Sequence, residues 1–490
     1  MVIKTLADEI QNYLTDASNF KGYCDAVYFP ENQQDISQIL KEASNNNTPV
    51  TISGNGTGLT GARVPQGGIV ISTQKLNKVS EINPEERYAI VEPGVLLSDF
   101  QEKLNEYNLL YPPDPTEKNC YIGGTVATNA SGEKTFKYGP TRDYVLALDL
   151  VLPDGDLLKL RRGINLADGS KLTIKTETGK VTNIDLPEYK MPATKNAAGY
   201  YCTTNMDAID LFIGSEGTLG VISKIKLKLV SKPEQLISCI VFFNNEIDAL
   251  NFIAKVRFLS FNSRHKSEHT SIEALALEYF DGNSLSFLRG DNPKIPETAK
   301  SGVWFEQEIT SDNEDIVFEE WMELIIEFRG NEESAWFAVT EDDKKKIQEF
   351  RHSISAKINE YIAKNNFRKL GTDVAVPDDT FEEFYFHSKK LVDKANLNYV
   401  IYGHAGNSHI HLNMLPRNQD EYDRGVIVYG EICGKAVELG GTVSAEHGIG
   451  KLKTAYLLMM YGKETINKMI GLKKVFDPNM ILGKGNIFAQ

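Results

Sequence analysis

Four of the eight histidines fall in one stretch of the chain: His404, His409, His411 and His447, the last preceded by Glu446. They lie in Ile401-Tyr-Gly-His-Ala-Gly-Asn-Ser-His-Ile-His-Leu-Asn413 and Val443-Ser-Ala-Glu-His-Gly-Ile-Gly450. Imidazole and carboxylate together suit a borderline divalent ion such as Zn²⁺ or Mn²⁺. A neutral imidazole also suits removal of a hydroxyl proton near neutral pH. On a strand, His409 and His411 point to one face and form the simplest ligand pair. An anionic substrate there would need a cation, and the candidates are Arg351, Lys369 and Lys453, a guanidinium being able to grip a carboxylate through two bonds.

Glycine-rich segments form the second set of candidates. Ser53-Gly-Asn-Gly-Thr-Gly-Leu-Thr-Gly61 satisfies GxGxxG at Gly56, Gly58 and Gly61, with Glu81 further on. A dinucleotide fingerprint of that type must open a helix whose N-terminus meets the pyrophosphate. Here the loop runs into Ala-Arg-Val-Pro-Gln-Gly-Gly, which does not read as a helix, so a Rossmann site is rejected. The loop still suits a phosphate, because consecutive glycines let amide N–H groups converge without Cβ obstruction. Ile122-Gly-Gly-Thr-Val-Ala-Thr-Asn-Ala-Ser-Gly132, after Pro112-Pro-Asp-Pro-Thr116, and Ile213-Gly-Ser-Glu-Gly-Thr-Leu-Gly-Val-Ile222 are two further loops of this kind. Three of them, each beside a strand, imply backbone wrapped around an extended ligand.

These segments resemble the FAD-binding domain of the vanillyl-alcohol-oxidase-type (PCMH) flavoproteins, in the branch of glycolate oxidase subunits and D-lactate and D-2-hydroxyglutarate dehydrogenases. The resemblance runs from about Ala26-Val-Tyr-Phe-Pro-Glu31 onward through nearly the whole chain. It implies an FAD pyrophosphate held by Ser53, Gly54, Asn55, Gly56, Thr57, Gly58, Leu59, Thr60 and Gly61. It places Pro113, Asp114, Gly123, Gly124, Ala127, Asn129 and Gly132 along the flavin and phosphates, and Gly217, Val221 and Ile222 at the adenine-ribose end. Some relatives tether the flavin through a histidine near the first loop; no histidine precedes His265 here, so the FAD is expected to be non-covalent.

The same resemblance sharpens the histidines. The branch carries GHxGDGNLHxN followed by EHGxG, and His404, His411 and Glu446 match its divalent-metal ligands. His447 matches its general base, Asn413 a substrate-side polar residue, and Arg351 its carboxylate-binding arginine. Three neighbouring positions depart from the motif: Asn407 replaces an aspartate, Ser408 a glycine and His409 an asparagine. The implied reaction is oxidation of a D-2-hydroxy acid to the 2-oxo acid by hydride transfer to the flavin. Two other readings remain open: a non-redox FAD enzyme of the alkylglycerone-phosphate synthase type, whose consecutive histidine triplet is missing, and a metal-dependent hydrolase, which leaves the glycine loops unexplained.

These candidates sit on an α+β framework. Short β-branched runs bounded by turn residues (PVTIS, GGIVIST, YAIVEPG, VLALDLVLPDG, GVISKIKLKLV) alternate with helices over Asp35–Asn45 and Leu97–Tyr107. The division expected is a two-subdomain FAD-binding domain over 1–232, with a hairpin insertion at 168–188 turning at Thr178-Gly179-Lys180. A substrate and metal domain with an antiparallel sheet and flanking helices follows over 233–490. Its helices include Asp342–Asn365 and a final pair, Thr454–Tyr461 and Glu464–Val475. The first twenty residues read as an amphipathic helix.

At 490 residues and a formal net charge of −14, the chain does not suit non-specific nucleic-acid binding. It shows no signal-peptide pattern and no apolar run long enough to span a bilayer, so a cytoplasmic location is expected. The resemblance leaves room for peripheral contact with the inner face of a membrane and for a homodimer. The five cysteines are scattered without a CxxC pair, which argues against a Cys-ligated iron–sulfur cluster in this chain. The electron acceptor would then be a quinone, a cytochrome, an electron-transfer flavoprotein or a partner subunit.

Overall fold

A computed structural model describes residues 1–489 except 268, 269, 339, 366 and 368. A four-stranded sheet runs in the order Val2–Lys4, Ala26–Phe29, Ile69–Ser72, Val50–Ser53, the last three parallel. The helix Gln33–Asn46 covers it, capped by the Asn32 side chain, which accepts from the Asp35 amide. Its buried residues Ile36, Ile39, Leu40 and Ala43 recur at helical spacing and pack with Val50, Ile69 and Ile71. The strand Val50–Ser53 delivers the chain into the first glycine loop, which continues without a helix to residue 68.

The second sheet is antiparallel with five strands: Val79–Asn83, Tyr88–Val91, Val221–Lys228, Val145–Val151 and Leu157–Arg161. Along Val221–Lys228 the buried positions are every second residue, Val221, Ser223, Ile225 and Leu227, so one face meets the core. The hairpin is present as Lys171–Lys175 paired with Val181–Asp185, and Gly179 takes the positive φ of 90° its turn needs. Leu172, Ile174 and Ile184 are buried there, whereas Val181 is exposed.

An eight-stranded sheet forms the second half, its antiparallel strands running Asn331–Phe337, Gln235–Phe243, Ser301–Ile309, Ala274–Asp281, Tyr399–Gly403, His409–Met414 and Leu370–Gly371, with Val374–Ala375 also paired to His409–Met414. Alternate side chains feed two cores. Val241, Phe243, Val303 and Phe305 pack against Glu246–His265 and Glu314–Glu327, where Phe305 stacks on Trp321. Ile240, Phe242, Phe280 and Trp304 meet Gly282–Leu288 and Glu341–Lys364.

One segment differs from expectation. The N-terminus begins as an edge strand, Val2–Lys4, because its β-branched residues pair with Val27–Phe29, and only Ala7–Ile10 is α-helical. The final pair of helices is present within Thr454–Phe476, as expected, the two meeting at a kink where Gly462 takes a φ of 72° and ψ of 164°. The chain then returns to the first sheet: Val50 N–H donates to Ile481 O, Gly483 N–H donates to Val50 O, and Ile481 and Leu482 enter the core beneath Gln33–Asn46. Asp477, fully buried, fixes that turn by accepting from the Ile481 and Leu482 amides and from Lys473. Among the described residues, no helix is long and apolar enough to cross a membrane.

Candidate active site

The glycine loops line one cleft between the two halves. Gly54 through Thr60, Gly123, Gly124, Ala127, Gly217 and Ile222 face it, and His404, Glu446 and His447 stand at its far end. Among the described residues, none of the amides from Gly54 to Thr60 donates a hydrogen bond within the chain; that of Gly61 is taken by Asp16. A run of unclaimed N–H groups is a cradle for an anion. The cleft-side face of Gly124 is open, with no atom within 4 Å of a built Cβ. Cys120 also lines the cleft, and burial pushes its thiol up to about 12.

Ser53, Gly61, Pro113, Asp114, Asn129, Gly132 and Val221 stand behind the cleft surface rather than on it. Asn129 closes the short helix Ile122–Thr128 in a left-handed conformation and accepts from the Arg142 amide. A Cβ on Gly132 would lie 2.0 Å from Asp114 O, so this glycine permits a backbone crossing. Asp114 is buried between Lys134 (3.0 Å) and Lys118 (3.4 Å); burial alone would raise its carboxyl, but the two ammonium groups bring it to about 2.

The histidines converge because Tyr399–Gly403 and His409–Met414 are paired neighbours with Tyr402 opposite His411. His404 leaves the end of the first strand, and His409 and His411 share one face of the second. Each ring has one nitrogen turned outward onto an acceptor: His404 Nδ1 to Glu278 Oε1 (2.6 Å), His411 Nδ1 to Thr372 O (3.0 Å), and His409 Nε2 near Asp373 Oδ1 (3.2 Å). The other nitrogens face Glu446: His404 Nε2 at 3.5 Å, His411 Nε2 at 3.4 Å and His409 Nδ1 at 4.0 Å. Burial lowers the pKa of His409 and His411; for His404 burial also works downward, but the Glu278 and Glu446 carboxylates together raise it. Burial would raise Glu446, but the Lys195 ammonium and the imidazoles hold it well below the usual carboxylate range. Imidazole nitrogens turned inward, with the outer nitrogens of His404 and His411 held by acceptors, and one carboxylate are the donor set a divalent ion requires.

His447 stacks on His411 and borders both the cleft and an adjoining cavity of about 670 Å³. Its Nδ1 lies 3.2 Å from Asp373 Oδ2 and its Nε2 3.5 Å from Glu446 Oε1. Asp373 is fully buried and also receives the Glu446 and His447 amides, Ser444 Oγ (2.7 Å) and Lys453 Nζ (2.7 Å). Lys453 therefore turns its ammonium to Asp373 from the cavity wall. Arg351 lines the cavity, donating from Nε to Glu278 Oε2 at 2.6 Å with its guanidinium 5.4 Å from the Tyr402 ring; among the described residues its terminal nitrogens make no hydrogen bond. Lys369 reaches the same cavity from an exposed position. Asn413 Oδ1 is buried there with no partner among the described residues.

Three residues of this arrangement escape the sequence reading: Glu278, Asp373 and Lys195. Glu278, fully buried with its carboxyl held at about 2, bridges Arg351 and His404. Lys195 Nζ sits 2.7 Å from Glu446 Oε2 and 3.2 Å from His409 Nδ1. The altered Ser408 takes a left-handed φ of 50° and hydrogen-bonds Arg257 and Asp378, while Asn407 Oδ1 is buried without a partner among the described residues.

This fold and cleft are those of FAD-linked oxidoreductases. Residues 24–161 match the FAD binding domain family, and residues 256–487 match the FAD linked oxidases, C-terminal domain. The chain is 32% identical to the glycolate oxidase subunit GlcD of Bacillus subtilis over 98% of this chain and 92% of that protein. It is 31% identical to the D-lactate dehydrogenase of Anaerostipes hadrus (93% and 87% covered), and 27% identical to the D-2-hydroxyglutarate dehydrogenase of Stutzerimonas stutzeri (99% and 96%). A solved alkyldihydroxyacetonephosphate synthase shares the fold with a TM-score of 0.66 at 15% identity, covering 98% of this chain and 81% of that one. The chain belongs to the FAD-linked oxidase family.

Proposed function

We propose that this chain oxidises a D-2-hydroxy acid, of the D-lactate, glycolate or D-2-hydroxyglutarate kind named in its relatives, to the 2-oxo acid. The observation carrying the proposal is that His447, oriented by Asp373, borders both the flavin cleft and the cavity that Arg351 lines. When bound, FAD supplies the acceptor for the C2 hydride, and a Zn²⁺ or Mn²⁺ ion held by His404, His411 and Glu446 supplies positive charge beside the hydroxyl oxygen.

The chain's own residues do the rest. The terminal nitrogens of Arg351 receive the substrate carboxylate, with Lys369 at the rim, and Glu278 keeps the guanidinium from swinging. Asn413 lines the same cavity as a polar residue on the substrate side. His447 Nε2 takes the hydroxyl proton as the C2–H bond breaks, and Asp373 stabilises the imidazolium that results. The flavin is bound non-covalently, since no histidine precedes His265 in the chain and burial pushes the Cys120 thiol up to about 12. The electrons then leave to a quinone, cytochrome, electron-transfer flavoprotein or partner subunit.

The test is anaerobic bleaching of the flavin by D-lactate, glycolate, D-2-hydroxyglutarate and D-malate in wild-type protein and His447→Ala. The variant should keep its yellow flavin and lose about 10²–10⁴-fold in rate. Full activity in His447→Ala, or no bleaching by any of the four acids in wild type, sinks the proposal.

A further inference from the structure

We propose that His409 is a fourth protein ligand of the divalent-ion site, so that three imidazoles and Glu446 hold the ion in competition with the Lys195 ammonium. This rests on the metal part of the function proposed above. It goes beyond the three-ligand pattern of the related motif, which has an asparagine at this position.

The argument starts from strand parity. His409 and His411 project from the same face of His409–Met414, and their ring centroids are 4.5 Å apart; that of His404 lies 5.3 Å from His409. One ligand atom from each of His404, His409, His411 and Glu446 fits within a 4.8 Å span. For His409 the inward atom is Nδ1, and its character as an acceptor is marked by Lys195, whose Nζ stands 3.2 Å away. The outward Nε2 is buried and lies 3.2 Å from Asp373 Oδ1 without the alignment of a hydrogen bond. This ring is thus the least committed of the three by hydrogen bonds.

Lys195 supplies the second line of argument. Its ammonium already bridges Glu446 Oε2 and His409 Nδ1, so the site binds a cation between an anionic oxygen and an imidazole lone pair. A divalent ion placed on those two atoms requires the ammonium to leave. Lys195 lies in residues 186–207, a stretch without helix or strand, and its place at the site is set by a long side chain with rotatable bonds. Asparagine at position 409 could not present a soft nitrogen donor in that place; histidine does.

The experiment uses the full chain with FAD bound and Co²⁺ as the probe, read by its visible bands beyond the flavin absorption, with Zn²⁺ affinity measured by competition against a chromophoric chelator. His409→Asn should weaken both ions by about tenfold or more and change the Co²⁺ band shape. His409→Gln, closer in volume, should do the same, and unchanged flavin content shows that either variant is folded. Lys195→Met should tighten both ions. Unchanged affinity and spectrum in the folded His409 variants overturn His409 as a ligand while leaving the three-ligand site standing. Unchanged affinity in Lys195→Met overturns the competition. Failure of the wild-type protein to bind either ion overturns the metal reading itself.

Discussion

Replacing Asp373 with asparagine preserves shape and removes one charge at the point where base, cluster and cavity wall meet. In the folded chain this carboxylate accepts from two backbone amides and Ser444 and pairs with Lys453 at 2.7 Å, all out of water. Burial would raise its pKa, but His447 and Lys453 hold it well below the carboxylate range. Asp373→Asn therefore strands the Lys453 ammonium, at a cost of about 3–5 kcal/mol for a broken buried pair. It also turns one acceptor into a donor facing other donors. Separately, His447 loses the partner that keeps its proton on Nδ1, and the proton-transfer contribution of about 10²–10⁴-fold is forfeited, or roughly 3–5 kcal/mol of barrier. Thermal unfolding reads the first effect, and single-turnover flavin bleaching by the best hydroxy acid reads the second. The double variant Asp373→Asn/Lys453→Met separates them, because removing the stranded charge should restore most of the stability and none of the rate. Wild-type bleaching in Asp373→Asn, or recovery of rate in the double variant, would refute the reasoning.

Two glycines behave oppositely under the same change. Gly124→Ala should fold normally and lose flavin, since its Cβ meets no protein atom and enters the cleft, whereas Gly132→Ala should unfold at markedly lower temperature because its Cβ runs into Asp114 O; flavin content and a thermal scan of each decide this. Asp114 makes stability depend on acid. Its pKa of about 2 lies below the unfolded carboxylate value, so its contribution is complete above about pH 4 and is lost as pH falls toward 2. Asp114→Asn should flatten the loss of denaturation free energy between pH 5 and pH 3, and an equal loss in both proteins would count against the Lys134 and Lys118 pairing.

How much of this was readable in the chain depended on the distance over which each signal acts. Strand parity alone aligned His409 with His411, and the turn-rich context of Gly54–Gly61 ruled out a helix; both are local. Asp373 was not visible, because its partners at 409, 444, 447 and 453 come from other elements and a lone aspartate between Thr372 and Val374 carries no pattern. Lys195 sits in a stretch without periodicity. Glu278 did leave a mark: a glutamate inside Ala274–Asp281, where every residue is buried, is costly unless paired, and that was the available hint. The N-terminal helix failed because Val2 and Ile3 gain more from the sheet edge than from a single helical turn, a preference decided by residues 27–29.

The return of Ile481 and Leu482 to Val50 also bears on how the molecule is made. The first sheet and its glycine loop are synthesised early, yet the strand leading into that loop lacks an edge partner until a segment far downstream arrives. A nascent chain can build the helix and most of the sheet in order, but the cofactor cradle closes only after the whole eight-stranded sheet has emerged. A chain ending before Asp477 would carry every glycine of the first loop yet lack Ile481 and Leu482, the residues that pair with Val50 and complete the core beneath that loop's strand.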